Sequence, residues 1–407
     1  MTTAAPPVDR PRTRRVSISL AVIALGGFGI GTTEFVSMGL LPQIATDLGA
    51  SIPAGGHLIS AYALGVVVGA PVVAVLAARV ARTGLLIALM AAFALGNAAS
   101  ALAPTFETLV VARFLAGLPH GAYFGISAVV AAGLVPAERR GRAIAITLSG
   151  LTVANLLGVP ATAWLGQSLG WRSTYWAVTA VAVLTAVLVR VLVPVVAAAA
   201  GTGSRRELSA LRRPSVWVAL ATGAIGFGGM FAVYTYVSPL VTEVTGWPVG
   251  SVPLVLAVFG LGMTLGMPVG GRLVDWSVRR SVVIGLTGMM IVLATLPLAA
   301  PSGVAMPVWI FLLAFTGSVT VPAMQTWLMD LAGDGQSLAA SLNHSAFNVA
   351  NAAGAFGGGL VIDLGFGWTS PAVLGAVLAA AGLAVIAAAR LSGTNLSGSS
   401  TAGSAGR

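Results

Sequence analysis

Residues 17–41 read SISLAVIALGGFGIGTTEFVSMGLL, and Glu34 is the one charged side chain among them. A helix needs roughly 20 apolar residues to cross a bilayer core of ~30 Å, so this run is long enough. Ahead of it stand Arg10, Arg12, Arg14 and Arg15. A basic stretch followed by an apolar one is also the form of a signal peptide, the twin-arginine type included. Here the apolar stretch is longer than a signal core, holds an acid and lacks a small-residue cleavage site. It is expected to be a retained first membrane helix.

Outward from that run the pattern repeats. Further apolar runs lie near 56–78, 85–103, 107–134, 143–167 and 174–195, and then near 215–240, 251–274, 281–301, 307–331, 338–362 and 371–391. The 407-residue chain is 57% hydrophobic and 8% charged, whereas soluble domains carry about 25% charged residues. That inventory cannot clothe a water-facing surface, which excludes a cytosolic enzyme and a disordered protein. Cysteine is absent, so disulfide scaffolds, thiolate nucleophiles and cysteine metal sites are excluded as well. Abundant glycine and alanine inside the runs suit packed membrane helices.

The net charge of +10 would suggest nucleic acid in a soluble protein, but the positions of the charges give another cause. All 21 basic residues are arginine. If the N-terminus is cytoplasmic, the inside segments hold Arg79 and Arg82; Arg139, Arg140 and Arg142; Arg190 with Arg205, Arg206, Arg212 and Arg213; Arg272, Arg279 and Arg280; and Arg390 and Arg407. The outside loops hold Arg172 alone. This asymmetry predicts both termini in the cytoplasm of a cell inner membrane protein. No basic patch interleaved with aromatics supports a nucleic-acid partner.

The long polar interruption at 196–214, ending SRRELSALRRP, falls between the sixth and seventh runs. Motifs on its two sides share one offset of 197 residues: Gly65, Gly69 and Pro71 match Gly262, Gly266 and Pro268, Arg82 matches Arg279, and Trp171 matches Trp368. The expected fold is therefore all-α and integral to the membrane. Twelve transmembrane helices form two six-helix bundles, 16–195 and 215–391, related by a pseudo-two-fold repeat and joined by the 196–214 linker. The tails, 1–15 and 392–407, are expected to be disordered. Parallel repeats of this kind suit a transporter that holds its ligand between two rocking bundles. Small residues recur every four positions at Gly150, Ala154, Gly158, Thr162 and Gly166, and at Ala346, Ala350, Gly354 and Gly358. Such stripes serve close helix packing, or smooth faces along which two bundles move.

The segments GTTEFVSMGLLPQIATDLG (31–49), SIPAGGHLISAYALGVVVGAP (51–71), RFLAGLPHGAYFG (113–125), ERRGRAIAITLSGLTVANLLGVP (138–160) and LGWRSTYW (169–176) carry a family likeness. Over residues 16–391 the chain resembles the major facilitator superfamily, in its twelve-helix drug:proton antiporter group. It is most like the arabinose-efflux permeases and similar to chloramphenicol and purine-nucleoside exporters. The resemblance implies alternating access and a cytoplasmic-loop latch. The loop motif, roughly G-x-L-x-D-R-x-G-R, falls on 74–82, where Arg79 and Arg82 match but Ala78 replaces the usual Asp. The second copy keeps Asp275 with Arg279 and Arg280.

Glu34 is the one acid deep within a span, where a charge costs roughly 2.5–3.5 kcal/mol, so its place needs a reason. Proton carriage is one and a structural hydrogen bond is another; the resemblance agrees with the first, since related exporters carry an acid in this helix. Arg113 lies six residues past Glu107, ~9 Å along a helix, and cannot shed its charge. It is expected to be either a backbone anchor or, as the resemblance implies, a participant in proton transfer. His120 could titrate near neutral pH or serve packing. Tyr123, Asn155, Tyr234, Tyr236, Asn348 and Asn351 are candidate liners of the solute cavity, with Phe227, Gln325 and Phe347 behind them. No metal constellation and no phosphate-binding glycine loop occurs, so no cofactor and no ATP drive are expected. The function expected is proton-coupled efflux of small organic molecules such as sugars, phenicol-type drugs or nucleosides, by a monomer whose partners are solute, protons and the lipid bilayer. An uncoupled facilitator or importer on the same fold, and a transport-inactive membrane sensor or scaffold, are the alternatives.

Overall fold

The computed structural model describes residues 10–76, 80–136, 139–196, 209–332 and 336–394, and their regular structure is helical throughout. Among the described residues, twelve helices are long and apolar enough to cross a membrane. They are α1 (Arg15–Gly39), α2 (Ile52–Gly69), α3 (Arg82–Leu102), α4 (Phe106–Gly133), α5 (Arg142–Leu169), α6 (Arg172–Leu192), α7 (Pro214–Thr235), α8 (Val249–Trp276), α9 (Val278–Ala299), α10 (Ala305–Ala332), α11 (Leu342–Phe366) and α12 (Ser370–Leu391).

Ends and breaks have local causes. The first helix already begins at Arg10, within the stretch expected to be a tail. Residues 197–208 of the expected linker and 395–407 of the expected C-terminal tail lie outside the described residues, and Ser209–Arg212 forms a 3-10 turn. The helix containing α4 opens on a capping box between Thr105 and Thr108, which satisfies otherwise orphaned backbone donors. The seventh run, expected to reach residue 240, stops at Thr235. Tyr236 leaves the helical region at φ −108°, and a short turn Val237–Pro239 follows. Pro239 cannot donate to the Thr235 carbonyl, and its ring crowds that group. In α5 the residues Ala154–Gly158 widen into a π turn just ahead of Pro160, which lacks the donor for the Leu156 carbonyl.

The helix contacts repeat. In the first half α1 packs on α5 and α6, α2 on α4, and α3 on α4 and α6; in the second, α7 packs on α11 and α12, α8 on α10, and α9 on α10 and α12. The main contacts between halves are α2 with α11 and α5 with α8, a pair of pairs that a two-fold axis exchanges. The repeat extends to single atoms. A side chain at Gly65 or Gly69 would run into the carbonyls of Phe114 or Leu118 on α4, and one at Gly262 or Gly266 into those of Phe311 or Phe315 on α10. These partners are themselves separated by the same offset.

The small-residue stripes pack within the halves. Gly150 and Gly158 lie against Ala24, Phe28 and Thr32 of α1, and Gly354 and Gly358 against Gly228 and Ala232 of α7. Close packing is therefore what these stripes do here. Their removal from the inter-half surface leaves that surface to Gly260 of α8, which abuts the Asn155 backbone of α5, and to the α2–α11 contact. Exposed apolar residues line outer faces at helical spacing, as Val111 and Leu115, Val183, Val187 and Val191, and Val373 and Val377 do. Trp164, Trp176, Trp217 and Trp276 are exposed near helix ends, as in the aromatic belts of membrane proteins.

Candidate functional site

Arg113 of α4 is completely buried. One guanidinium nitrogen donates to the Thr33 hydroxyl at 3.1 Å and the other to the Thr33 carbonyl at 3.0 Å. The Thr33 hydroxyl donates in turn to Asn97 Oδ1 of α3 at 2.6 Å. The guanidinium lies 4.3 Å from the Tyr62 ring centre of α2 and 5.5 Å from that of Tyr175 of α6, a pair of cation–π contacts suited to a desolvated cation. Tyr175 reaches the Ser37 hydroxyl at 2.9 Å, and Tyr62 reaches His120 Nδ1 at 3.1 Å. Five of the six helices of the first half thus converge on one cation. Its Nε is buried without a hydrogen-bond partner.

Glu34 follows Thr33 on α1 and is buried to 7% exposure. It lies within electrostatic reach of Arg113, Tyr62 and Tyr234, yet it makes no ion pair. Among the described residues the one salt bridge joins Arg172 and Asp47 at 2.5 Å, at the mouth of the first half. There the Arg172 guanidinium and the Trp171 indole N–H hold the Asp47 carboxyl below the usual carboxylate range. Next to Glu34, Phe35 meets Tyr234 edge-on at 5.7 Å, and Tyr234 stacks on Phe259 of α8 at 3.8 Å. Glu34 therefore stands between the Arg113 cluster of the first half and aromatic groups of the second.

The other expected site residues fall into distinct groups. The Tyr123 hydroxyl donates to the Ile23 carbonyl at 2.8 Å, and its ring covers Gly26, so it clamps α4 to α1. The Tyr236 hydroxyl lies 3.0 Å from the Pro53 carbonyl and 2.9 Å from the Ala355 carbonyl. Asn155 and Asn348 each spend an amide hydrogen on a carbonyl of their own helix, Leu151 and His344, while their side-chain oxygens stay unpartnered. The Tyr234 hydroxyl and both polar atoms of Asn351 are also buried and unpartnered. Gln325 accepts from Asn343 at 2.7 Å, and Phe227 packs on Phe347 at 4.5 Å. His120, beyond its tyrosine partner, meets Phe124 edge-on at 5.3 Å, and Phe124 stacks on His344 of α11 at 6.1 Å.

At the arginine-rich end, Arg79 and Ala78 lie outside the described residues. Arg82 donates its backbone N–H to Val196 at 2.9 Å. Asp275, Arg279 and Arg280 are exposed, and Arg280 lies over the Trp276 ring at 5.0 Å. Among the described residues no ion pair joins Asp275 to an arginine. Nor do any three His, Asp or Glu side chains there converge as metal ligands would. Sequence reasoning missed Thr33, Tyr62, Asn97 and Tyr175 around Arg113. A signal was available for Tyr62, since the chain has only five tyrosines and this one falls well inside an apolar run rather than at a membrane interface.

A doubled helical bundle with unpartnered polar groups gathered inside its membrane span defines a multi-pass membrane transporter. A family model described as Major Facilitator Superfamily matches residues 23–277 and 238–404. The chain is 41% identical over 379 residues to the inner membrane transport protein YdhP of Escherichia coli (strain K12), spanning 91% of this chain and 95% of that protein. It is 36% identical over 343 residues to the chloramphenicol resistance protein of Streptomyces lividans, spanning 83% and 87%. Among solved structures, a D-xylose–proton symporter superposes with a TM-score of 0.71 over 91% of this chain and 97% of that one, at 19% identity, a likeness of fold. The chain belongs to the Major Facilitator Superfamily; it is a transporter and not an enzyme.

Proposed function

We propose that this protein is a proton-coupled antiporter that exports small, neutral or weakly charged organic molecules by alternating access. The observation that carries the reading is Glu34, the only buried acid among the described residues, seated between the two halves. A carboxyl there can take a proton from one side and release it to the other as its hydration changes. Arg113 supplies a fixed positive charge nearby, and His120 extends the cluster toward the arginine-rich end. Asn155, Tyr234, Asn348 and Asn351 offer neutral hydrogen-bonding groups to a solute, whereas the hydroxyls of Tyr123 and Tyr236 are already engaged with backbone carbonyls. The arginine asymmetry supports cytoplasmic termini in a plasma membrane protein, and the proposed acting unit is a monomer. The segments 16–195 and 215–391 are the moving units. The likeness to a chloramphenicol resistance protein supports phenicol-type drugs among the solutes, and sugars or nucleosides fit the same neutral groups.

Proton entry supplies ~2.3 kcal/mol per charge per 100 mV, enough to drive a neutral solute outward. The test is an efflux and susceptibility screen in an exporter-deficient host, comparing the natural chain with Glu34→Gln. Loss of gradient-driven efflux with the Gln variant is the expected result. Efflux against a gradient with unchanged pH dependence would overturn the coupling. An uncoupled facilitator is the second reading, favoured by the hydrogen bonds that both terminal nitrogens of Arg113 make to Thr33 rather than to Glu34. Insensitivity of natural-chain transport to collapse of the proton gradient would select it.

A further inference from the structure

At the end of the molecule where α1 finishes and α2 begins, Tyr236 is buried in a close-fitting glycine socket. The residue breaks the helical backbone after α7, which turns its ring toward α11 and α2. A methyl group added at Gly56 of α2, or at Gly358 or Gly359 of α11, would run into this ring or its hydroxyl. The hydroxyl has one hydrogen and two acceptors, the Pro53 carbonyl on α2 and the Ala355 carbonyl on α11. One turn deeper, the Ser60 hydroxyl of α2 donates to the Ala352 carbonyl of α11 at 2.9 Å. The two halves are therefore tied here through side-chain hydroxyls and main-chain carbonyls, with the Asp363 carboxylate of α11 within electrostatic reach of the Tyr236 hydroxyl.

We propose that Tyr236 is the positioning residue that closes this end of the transport path, a latch whose keyhole is built from glycines of both halves. A bond from a tyrosine hydroxyl to carbonyls joins neutral groups, and it can be made and broken by rigid movement of α2 away from α11. Opening this end must withdraw Tyr236 from between Gly56 and Gly359. The latch rests on the alternating-access reading given above, and it adds to that reading the residue that sets how long this end stays shut.

The natural chain has no cysteine, so single reporters need no background removal. Ala352→Cys places a thiol at the buried residue whose carbonyl accepts from Ser60 in the closed contact. His344→Cys places one two turns further toward the arginine-rich end of α11, where that residue stacks on Phe124 across the halves. Maleimide labelling of the purified full-length protein is measured at each reporter. Tyr236→Phe keeps the ring and removes the hydroxyl. It is expected to raise the labelling rate at residue 352 about fivefold, as loss of one hydrogen bond would, and to lower the rate at residue 344. Gly359→Ala, which overfills the socket with the hydroxyl in place, is expected to act in the same direction. A rise at both reporters would signal general loosening and overturn the latch, as would no change at either. Gly260→Ala, which wedges α8 from α5, separates the two ideas. If it shifts the reporters in opposite directions while the two latch variants shift neither, the latch is wrong and alternating access stands. If none of the three variants moves the reporters in opposite directions, alternating access fails and the latch falls with it.

Discussion

Arg113 grips Thr33 and leaves Glu34, the very next residue, free of an ion pair. Both terminal guanidinium nitrogens are committed to Thr33, one to its hydroxyl at 3.1 Å and one to its carbonyl at 3.0 Å. The cation thus fixes the backbone immediately before the acid while leaving the carboxyl able to change partners. Thr33→Val tests this hold. It strands Asn97 Oδ1 and one guanidinium nitrogen inside the bundle, and unpaired buried polar groups cost ~1–3 kcal/mol each. A lowered apparent Tm in detergent is expected, together with impaired transport. A Tm equal to that of the natural chain would show that the hydroxyl is not holding Arg113.

Arg113→Lys keeps the charge and loses the planar pair of donors and the stacking on Tyr62 and Tyr175. An ammonium group cannot reproduce that geometry. The expected result is a loss of stability of about 1.5–3 kcal/mol, the range for hydrogen bonds to charged groups, read by thermal unfolding. Full stability in the Lys variant would reduce Arg113 to a point charge.

Glu34→Gln should separate function from folding. An amide matches the carboxyl in shape and is cheaper to bury than a charged acid. The apparent Tm is therefore expected to stay level or rise while proton-driven efflux is lost. A clear fall in Tm would mean that the carboxyl serves the fold.

The glycines of the repeat make a paired prediction. Gly65→Ala presses a methyl against the Phe114 carbonyl, and Gly262→Ala presses one against the Phe311 carbonyl. Overpacking of this kind costs typically ~1–3 kcal/mol, and equivalent sites should lose similar amounts in Tm. A large loss at one site alone would show that only one half packs as tightly as the geometry indicates.

Asp47 and Arg172 give the pH prediction. The native Asp47 carboxyl lies below its ordinary value because the Arg172 guanidinium favours its charged form. Its contribution to stability is therefore present above the unfolded pKa and is lost as pH falls through the folded one. Both partners are well exposed, so solvent screening limits the effect to at most ~1 kcal/mol. Asp47→Asn is expected to lower Tm slightly at neutral pH, and the gap should close in strong acid. A gap that widens on acidification would contradict the assignment.

Much of the scaffold was legible in the sequence. Apolar runs of spanning length located all twelve helices, most of their ends to within a few residues, and the constant offset between Gly65 and Gly262 reappears in the contacts these glycines make. The environment of Arg113 was legible only in part. Its burial followed from its place in the fourth run, but periodicity names the face of a helix and not the neighbour across from it. Thr33, Tyr62 and Tyr175 come from three other helices, so their meeting depends on tertiary packing. The same limit explains Tyr123, which looked like a cavity liner from its position and instead clamps α1. The break at Tyr236 needed the joint effect of Pro239 and the glycine socket, neither of which shows in hydropathy.

The repeated glycine contacts also show what the two halves do not share. At the offset that carries Gly65 to Gly262, Glu34 falls on Phe231 and Arg113 on Ile310. The frame exists twice, and a buried acid beside a buried arginine occurs once; on the proposed antiport reading, the second half has no counterpart of Glu34 for proton coupling. On that reading, substitutions around Tyr234, Asn348 and Asn351 are expected to retune which solutes are carried without altering the coupling. Adaptation to a new solute would accumulate its changes around these residues and Asn155 and spare Glu34 and Arg113.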